Sequence, residues 1–368
     1  MQLSVRQWLA VCTIVVCVLA AVPVIWQKLE RFEMGRDYRI PYPLSKDYWL
    51  YQRRLQQLDS TSIAMVGDSV VWGEYVRSDG TLSHFLNEAS GRRDRFVNAG
   101  MNGLFPLALE GLIRHYGSSL DHHKLLLHCN VLWMSNPKAD LQTEKEERFN
   151  HADLVPQFSP RIPCYKADLN RRIAAVVERN FPFSQWVNHV QMACFGQKSI
   201  LAWTLEEDGS SPPKYPNAYR NPLAEIKGVV PSEPEVDPDR GPASPRHKAW
   251  SNTGDGASRF EWVDLDRSLQ WGAFQRLVAL LKSRGNDVLV VVGPFNEHIM
   301  VPENRPVFHQ LRDRIAHWLL ANQIAHVVPE TLPSPLYADA SHPITDGYKK
   351  LSEQLVRDPV FQKWLEKP

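Results

Sequence analysis

The chain has 368 residues, with 42 Lys and Arg against 41 Asp and Glu and a formal net charge of +1. That balance, without a basic tail, argues against a nucleic-acid partner, while 43% hydrophobic residues suffice for a sizeable core. Five cysteines are too few for a disulfide-built scaffold, and without a Cys-x-x-Cys or zinc-ligand cluster no metal or cofactor is expected.

From the N-terminus, Trp8 to Trp26 carries no charged residue and is flanked by Arg6 and Lys28. About 20 apolar residues cross a bilayer as a helix, so residues 1–27 read as a membrane anchor, with Pro23 expected to bend or end the helix. Val18-Leu19-Ala20 has the small-residue spacing of a cleavage site, but the run continues past it for longer than a signal h-region. A retained signal-anchor is therefore expected, with the main domain on the non-cytoplasmic side; cleavage would make the protein secreted. A charged, aromatic stem follows over 28–60, with a helix over 46–58. The main domain is expected over 61–368, with an insertion at about 136–262.

Residues 62–66 read as a buried strand ending in Gly67-Asp68-Ser69, and 80–88 as a helix. A strand over 95–98 runs into Asn98-Ala99-Gly100, a helix over 106–116 follows, and a strand over 124–127 precedes His128-Cys129-Asn130. Such alternation is the pattern of a mostly parallel sheet covered by helices on both faces, an α/β fold. The middle breaks the rhythm: a helix is expected over 169–178, and proline-rich text over 209–258 reads as a long surface elaboration. Cys164 and Cys194 are the candidate pair should the compartment be oxidising. Alternation resumes with a helix over 265–284, a strand over 287–292, a helix over 306–322, a strand over 324–328 and a helix over 345–357 with Thr345 as its N-cap.

In an open parallel sheet, ligands bind beyond the strand ends, where this sequence places its polar candidates. Ser69 is the candidate nucleophile, though a serine there also suits an N-cap. A serine hydroxyl needs a base to take its proton, and Asp339-Ala340-Ser341-His342 supplies a histidine with a carboxylate to orient it. Donors for a developing oxyanion are the Ser69 N–H, the Gly100 N–H and the Asn130 amide. His122, His123 and His128 lack a well-spaced carboxylate for metal binding. Asn296, Glu297 and His298 read equally as pocket lining or loop hydrogen bonding. Trp72, Trp133 and Met134 suit a substrate wall or the core, and Glu74 suits ordering of the first loop.

With Gly67-Asp68-Ser69 and Gly73-Glu74, then Asn98-Ala99-Gly100, Asn130 and Asp339-x-x-His342, the sequence resembles the SGNH (GDSL-type) hydrolase superfamily over roughly 60–139 and 265–358. His128 stands where that family has the glycine of its Gly-x-Asn block. The resemblance implies a three-layer, flavodoxin-like sandwich, with Ser69 as nucleophile, His342 as base and Asp339 as its orienter. With the membrane run it also resembles envelope esterases and O-acyltransferases. The implied partners are the membrane and an acyl ester of an envelope polysaccharide or lipid; the oligomeric state stays open. The alternative is a non-catalytic envelope polymer-binding or assembly protein on the same scaffold.

Overall fold

A computed structural model of the chain describes residues 3–32, 34, 37–91, 95–205, 221–226, 228–230 and 249–367. Most of the proline-rich text over 209–258 lies outside the described residues. Helix α1 spans Val5–Leu29, capped by Ser4 and Gln7, and continues through Pro23 rather than ending there. Its 25 residues rise about 37 Å, enough for a bilayer core of about 30 Å. It is the one helix among the described residues long and apolar enough to cross a membrane, by length and composition.

After α1 the chain forms the short strand β1 (Arg31–Phe32) and helix α2 (Tyr48–Leu55), whose N-terminus is capped by Asp47. The sheet begins with β2 (Ile63–Gly67), α3 (Ser69–Trp72), α4 (Leu82–Ser90), β3 (Phe96–Gly100), α5 (Pro106–Tyr116) and β4 (Lys124–Cys129). The middle section contributes α6 (Leu169–Asn180), α7 (Pro182–Phe195), α8 (Ile200–Thr204), α9 (Pro222–Glu225) and β5 (Val229–Val230). The last third adds α10 (Leu269–Ser283), β6 (Asp287–Val292), α11 (Arg305–Ala321), β7 (Ala325–Val327), α12 (Thr345–Arg357) and α13 (Pro359–Glu366).

Five strands form one parallel sheet in the order β3-β2-β4-β6-β7, while β1 and β5 make a separate parallel pair. Alternate residues of each strand enter different cores, because successive side chains point to opposite faces. Ala64, Val66, Leu125, Leu127 and Val290 join the core with α2, α5, α10 and α11. Ile63, Met65, Leu126, Leu289 and Val291 join the one with α4, α12 and α13. Full burial of one such Leu or Ile is worth roughly 1.5–3 kcal/mol, so both faces are covered and the fold is α/β. The chain leaves β2 for β3 on one side and returns to β4 on the other. That reversal puts the ends of β2 and β4 at a topological switch point, where parallel sheets bind ligands.

Two sequence expectations are corrected, and the open question of the Cys164–Cys194 pair is answered. The helix expected over 265–284 begins at Leu269, because Ser268 caps it through Trp271 N and residues 265–267 form a separate tight turn. Asp140, from the middle section, accepts from Leu269 N and Gln270 N and so completes that cap. Thr345 is the first helical residue of α12, and the cap position belongs to Ile344, which has no side-chain acceptor. Cys164 and Cys194 are both free thiols.

Candidate functional site

Strand β2 ends at Gly67, and Asp68 then turns the chain into α3 by accepting from Val70 N at 3.0 Å. Both faces of this turn are tightly packed. A Cβ on Gly67 would lie 2.5 Å from Val71, and one on Gly100 would lie 2.4 Å from the Trp72 backbone nitrogen. Glycine at both positions therefore lets α3 sit directly against the ends of β2 and β3. Ser69 does read as helical, but the cap is Asp68, which leaves the Ser69 hydroxyl free for another partner.

That partner is His342. Ser69 Oγ lies 2.8 Å from His342 Nε2, and His342 Nδ1 lies 2.9 and 2.8 Å from the two carboxylate oxygens of Asp339. Asp339 Oδ1 also accepts from the backbone N–H groups of Ser341 and His342, each at 2.9 Å, so the turn locks the carboxylate to the ring. Asn296, fully buried after β6, braces the same turn: its Nδ2 donates to Asp339 O and its N–H to Ala340 O. Glu297 accepts from Arg312 and Thr331 and pairs with His309, while His298 Nε2 meets Leu332 O. All three make loop ties, and Glu297 also lines a small pocket with Phe295 and Arg312.

A second carboxylate faces the histidine. Glu74 Oε2 lies 3.4 Å from His342 Nε2, the same nitrogen that meets Ser69. Its position follows from the turn after α3, where Gly73 and Tyr75 both adopt left-handed backbone angles, at φ 88° and φ 70°. Arg39 of the stem holds this turn by donating to the carbonyls of Trp72, Gly73 and Val76, with its guanidinium 4.1 Å above the Trp72 ring. Tyr75 then packs edge-on against His342 at 5.3 Å between ring centroids. Burial disfavours a charged imidazole here. The carboxylates of Asp339, Glu74 and Asp68 outweigh it and hold His342 above the ordinary histidine range. Burial acts the other way on Asp339, but its bonds to His342 and the turn hold it below the usual carboxylate range.

The expected oxyanion donors are placed differently. The Gly100 N–H donates to Asn98 Oδ1 at 3.0 Å, so in this structure Gly100 serves close packing rather than offering a free donor. Asn130 Nδ2 donates to Asp68 Oδ2 at 2.7 Å and lies 3.5 Å from Ser341 Oγ; the second contact is long for a hydrogen bond. Asp68 also meets His128 Nδ1 and accepts from Trp133 Nε1, both at 3.0 Å. Burial alone would raise its pKa, but these partners hold it far below the usual carboxylate range. His128, standing where a glycine would be expected, thus has a role that the spacing did not reveal. Trp72 belongs to the stem contact, its indole donating to Ile40 O, and Met134 belongs to the core.

The loop after β3 is tied to the middle section. His151 Nε2 donates to Asn102 O at 2.8 Å, and its Nδ1 accepts from Tyr48 at 3.0 Å. Burial lowers the His151 pKa to about 4, so the ring is neutral, as this pair of bonds requires. No motif pointed to His151, because its role depends on Tyr48 and Asn102, distant in sequence. No protein-family model matches the chain, and no curated protein matches it either.

Proposed function

We propose that the chain is a serine-dependent ester hydrolase or O-acyltransferase of the SGNH (GDSL) type, working on an acylated envelope carbohydrate or lipid. The observation that carries this reading is the continuous Ser69–His342–Asp339 hydrogen-bonded chain beside the switch point of the sheet. His342 takes the Ser69 proton as Oγ attacks the acyl carbon, and Asp339 stabilises the imidazolium that results. The Ser69 N–H and the second Asn130 amide hydrogen are the donors this reading assigns to the developing negative charge. His342 returns the proton to the departing alcohol; water then completes hydrolysis, or an acceptor hydroxyl completes transfer. Helix α1 is a membrane anchor in this reading, with the domain on the non-cytoplasmic side, and the sheet is the three-layer sandwich of that superfamily.

One observation favours a second reading, a non-catalytic polymer-binding protein: the Gly100 N–H and one Asn130 amide hydrogen already have internal partners. An alkyl fluorophosphonate separates the two. Full-length protein in detergent is expected to be labelled on Ser69, and Ser69→Ala to lose both label and turnover of p-nitrophenyl acetate. Unlabelled folded protein, with turnover unchanged in Ser69→Ala, refutes the catalytic reading.

A further inference from the structure

One indole away from the Ser69 turn, across Trp133, lies a cleft of about 710 Å³ that the sheet alone does not form. One wall comes from Gly103, Phe105 and Trp133, on the loops after β3 and β4, and the other from residues 138–171 of the middle section. Its volume falls within the roughly 300–1,000 Å³ of sites that enclose small ligands. Trp133 connects it to the nucleophile: the indole lines the cleft while its N–H donates to Asp68, the residue before Ser69.

The lining has a definite chemistry. A chain of rings runs from Trp133 to Phe105, Phe149 and Tyr165, with centroids 5.7, 5.6 and 5.5 Å apart. Phe105 and Tyr165 are buried, whereas Trp133 and Phe149 remain half-buried in the wall. Around them stand exposed hydrogen-bonding groups, Lys46, Arg148 and Glu146. The ion pairs Lys138–Glu147 at 3.1 Å and Arg171–Asp153 at 2.8 Å stiffen the rim. A long acyl chain would need an unbroken apolar wall, and this one is interrupted by charges of both signs. Nucleic acid would need a uniformly positive groove, which the acids exclude. Aromatic faces beside hydrogen-bonding charges suit a sugar ring, whose axial C–H bonds meet the negative face of an aromatic ring and whose hydroxyls meet the charged ends.

We infer that this cleft is a saccharide-binding subsite, built by the middle section to hold a glycan chain next to Ser69. The inference rests on the proposed acyl chemistry for its purpose but not for its test. Full-length Ser69→Ala in detergent is titrated calorimetrically with xylohexaose, cellohexaose and chitohexaose. At least one is expected to bind, with Phe149→Ala weakening it tenfold or more and Arg148→Ala severalfold. Arg148 is exposed, so its variant decides the matter should Phe149→Ala fail to fold. No binding by any of the three, or binding unchanged by the substitutions, overturns the inference. Fluorophosphonate labelling of the parent protein reports separately: a bound hexaose with Ser69 unlabelled removes the acyl chemistry and leaves the subsite standing, whereas labelled Ser69 with no bound hexaose does the reverse.

Discussion

Replacing Glu74 by Gln removes one charge from the reacting side of His342 while keeping the side chain's shape. At 3.4 Å, a unit charge pair is worth about 1 kcal/mol in the dielectric of water and about 5 kcal/mol at an effective dielectric of 20. The Glu74 side chain is 30% exposed, so screening favours the lower end, about 1–2 kcal/mol. In the proposed mechanism Glu74 lowers the energy of the imidazolium formed when Ser69 attacks, and its loss should slow p-nitrophenyl acetate turnover roughly 5- to 30-fold on the pH plateau. The same charge helps hold His342 above the ordinary histidine range. A protonated His342 cannot accept the Ser69 proton, so the acid limb of kcat/KM must move to lower pH in Glu74→Gln. Asp339, Asp68 and Tyr75 still face the ring, and the limb is therefore displaced rather than abolished. The assay is the full pH profile of kcat/KM for parent and variant. The two curves should converge toward acid pH, and a variant curve parallel to the parent's at all pH values would refute the reasoning.

Asp339→Asn replaces the carboxylate that fixes the useful tautomer of His342 by an amide that can donate to Nδ1, and kcat should fall roughly 10³- to 10⁴-fold with little change in fluorescence-monitored unfolding. Gly100→Ala forces a Cβ to 2.4 Å from the Trp72 backbone nitrogen; overpacking typically costs about 1–3 kcal/mol, and a clash with backbone belongs at the upper end, read as a lowered Tm. His189 lies between two buried carboxylates, 2.7 Å from Asp47 and 2.6 Å from Glu30, so His189→Ala leaves both unpaired and should cost about 3–5 kcal/mol in denaturant unfolding. Burial opposes the charge on His189, but the two carboxylates raise its pKa from 6.5 to about 10. A raised folded-state value means that its stabilisation is complete below about pH 6.5 and fades as pH rises through about 10. Parent protein should therefore lose Tm across that window more steeply than His189→Gln, and equal slopes would disprove the assignment.

Elements with strong local patterns were legible in the sequence. Pro106–Tyr116, Asp287–Val292 and Thr345–Arg357 fall within the expected bounds because the apolar pattern of each is closely bounded by a proline or glycine on either side. The region over 181–195 carries no Asp, Glu, Lys or Arg and has no element among the sequence expectations, because α7 is fixed by packing on α1, α2 and α6, which are distant or unmarked in its own residues. The site divides in the same way. Ser69, Asp339 and His342 follow strand ends in recognisable order, and the structure brings them within hydrogen-bond reach. Gly100 sits where expected, but the partner of its N–H depends on the Asn98 side chain turning back two residues. Glu74 is aimed at His342 by left-handed backbone angles on either side of it, at Gly73 and Tyr75, which spacing alone does not disclose.

The parts outside the sheet converge on the site from three directions. Arg39 of the stem grips the turn that carries Glu74, Asp140 of the middle section caps α10, and His151 ties the loop after β3 to Tyr48 of α2. Helix α2 starts at Asp47, which also holds His189 of α7, and the other nitrogen of His189 holds Glu30, the residue that closes α1. Trp26 near the end of α1 packs edge-on against Trp186 of α7 at 5.9 Å, and Trp49 stacks on His189. A flexible tether would leave a polar, solvated joint after the apolar helix. Here the joint is a buried charge cluster whose side chains are at most 1% exposed, and separating its members would strand unpaired charges. The proposed anchor is therefore continuous with the framework that supports the loops around Ser69, so that, on the anchored reading, the fold rather than the length of a linker sets how that serine faces a membrane.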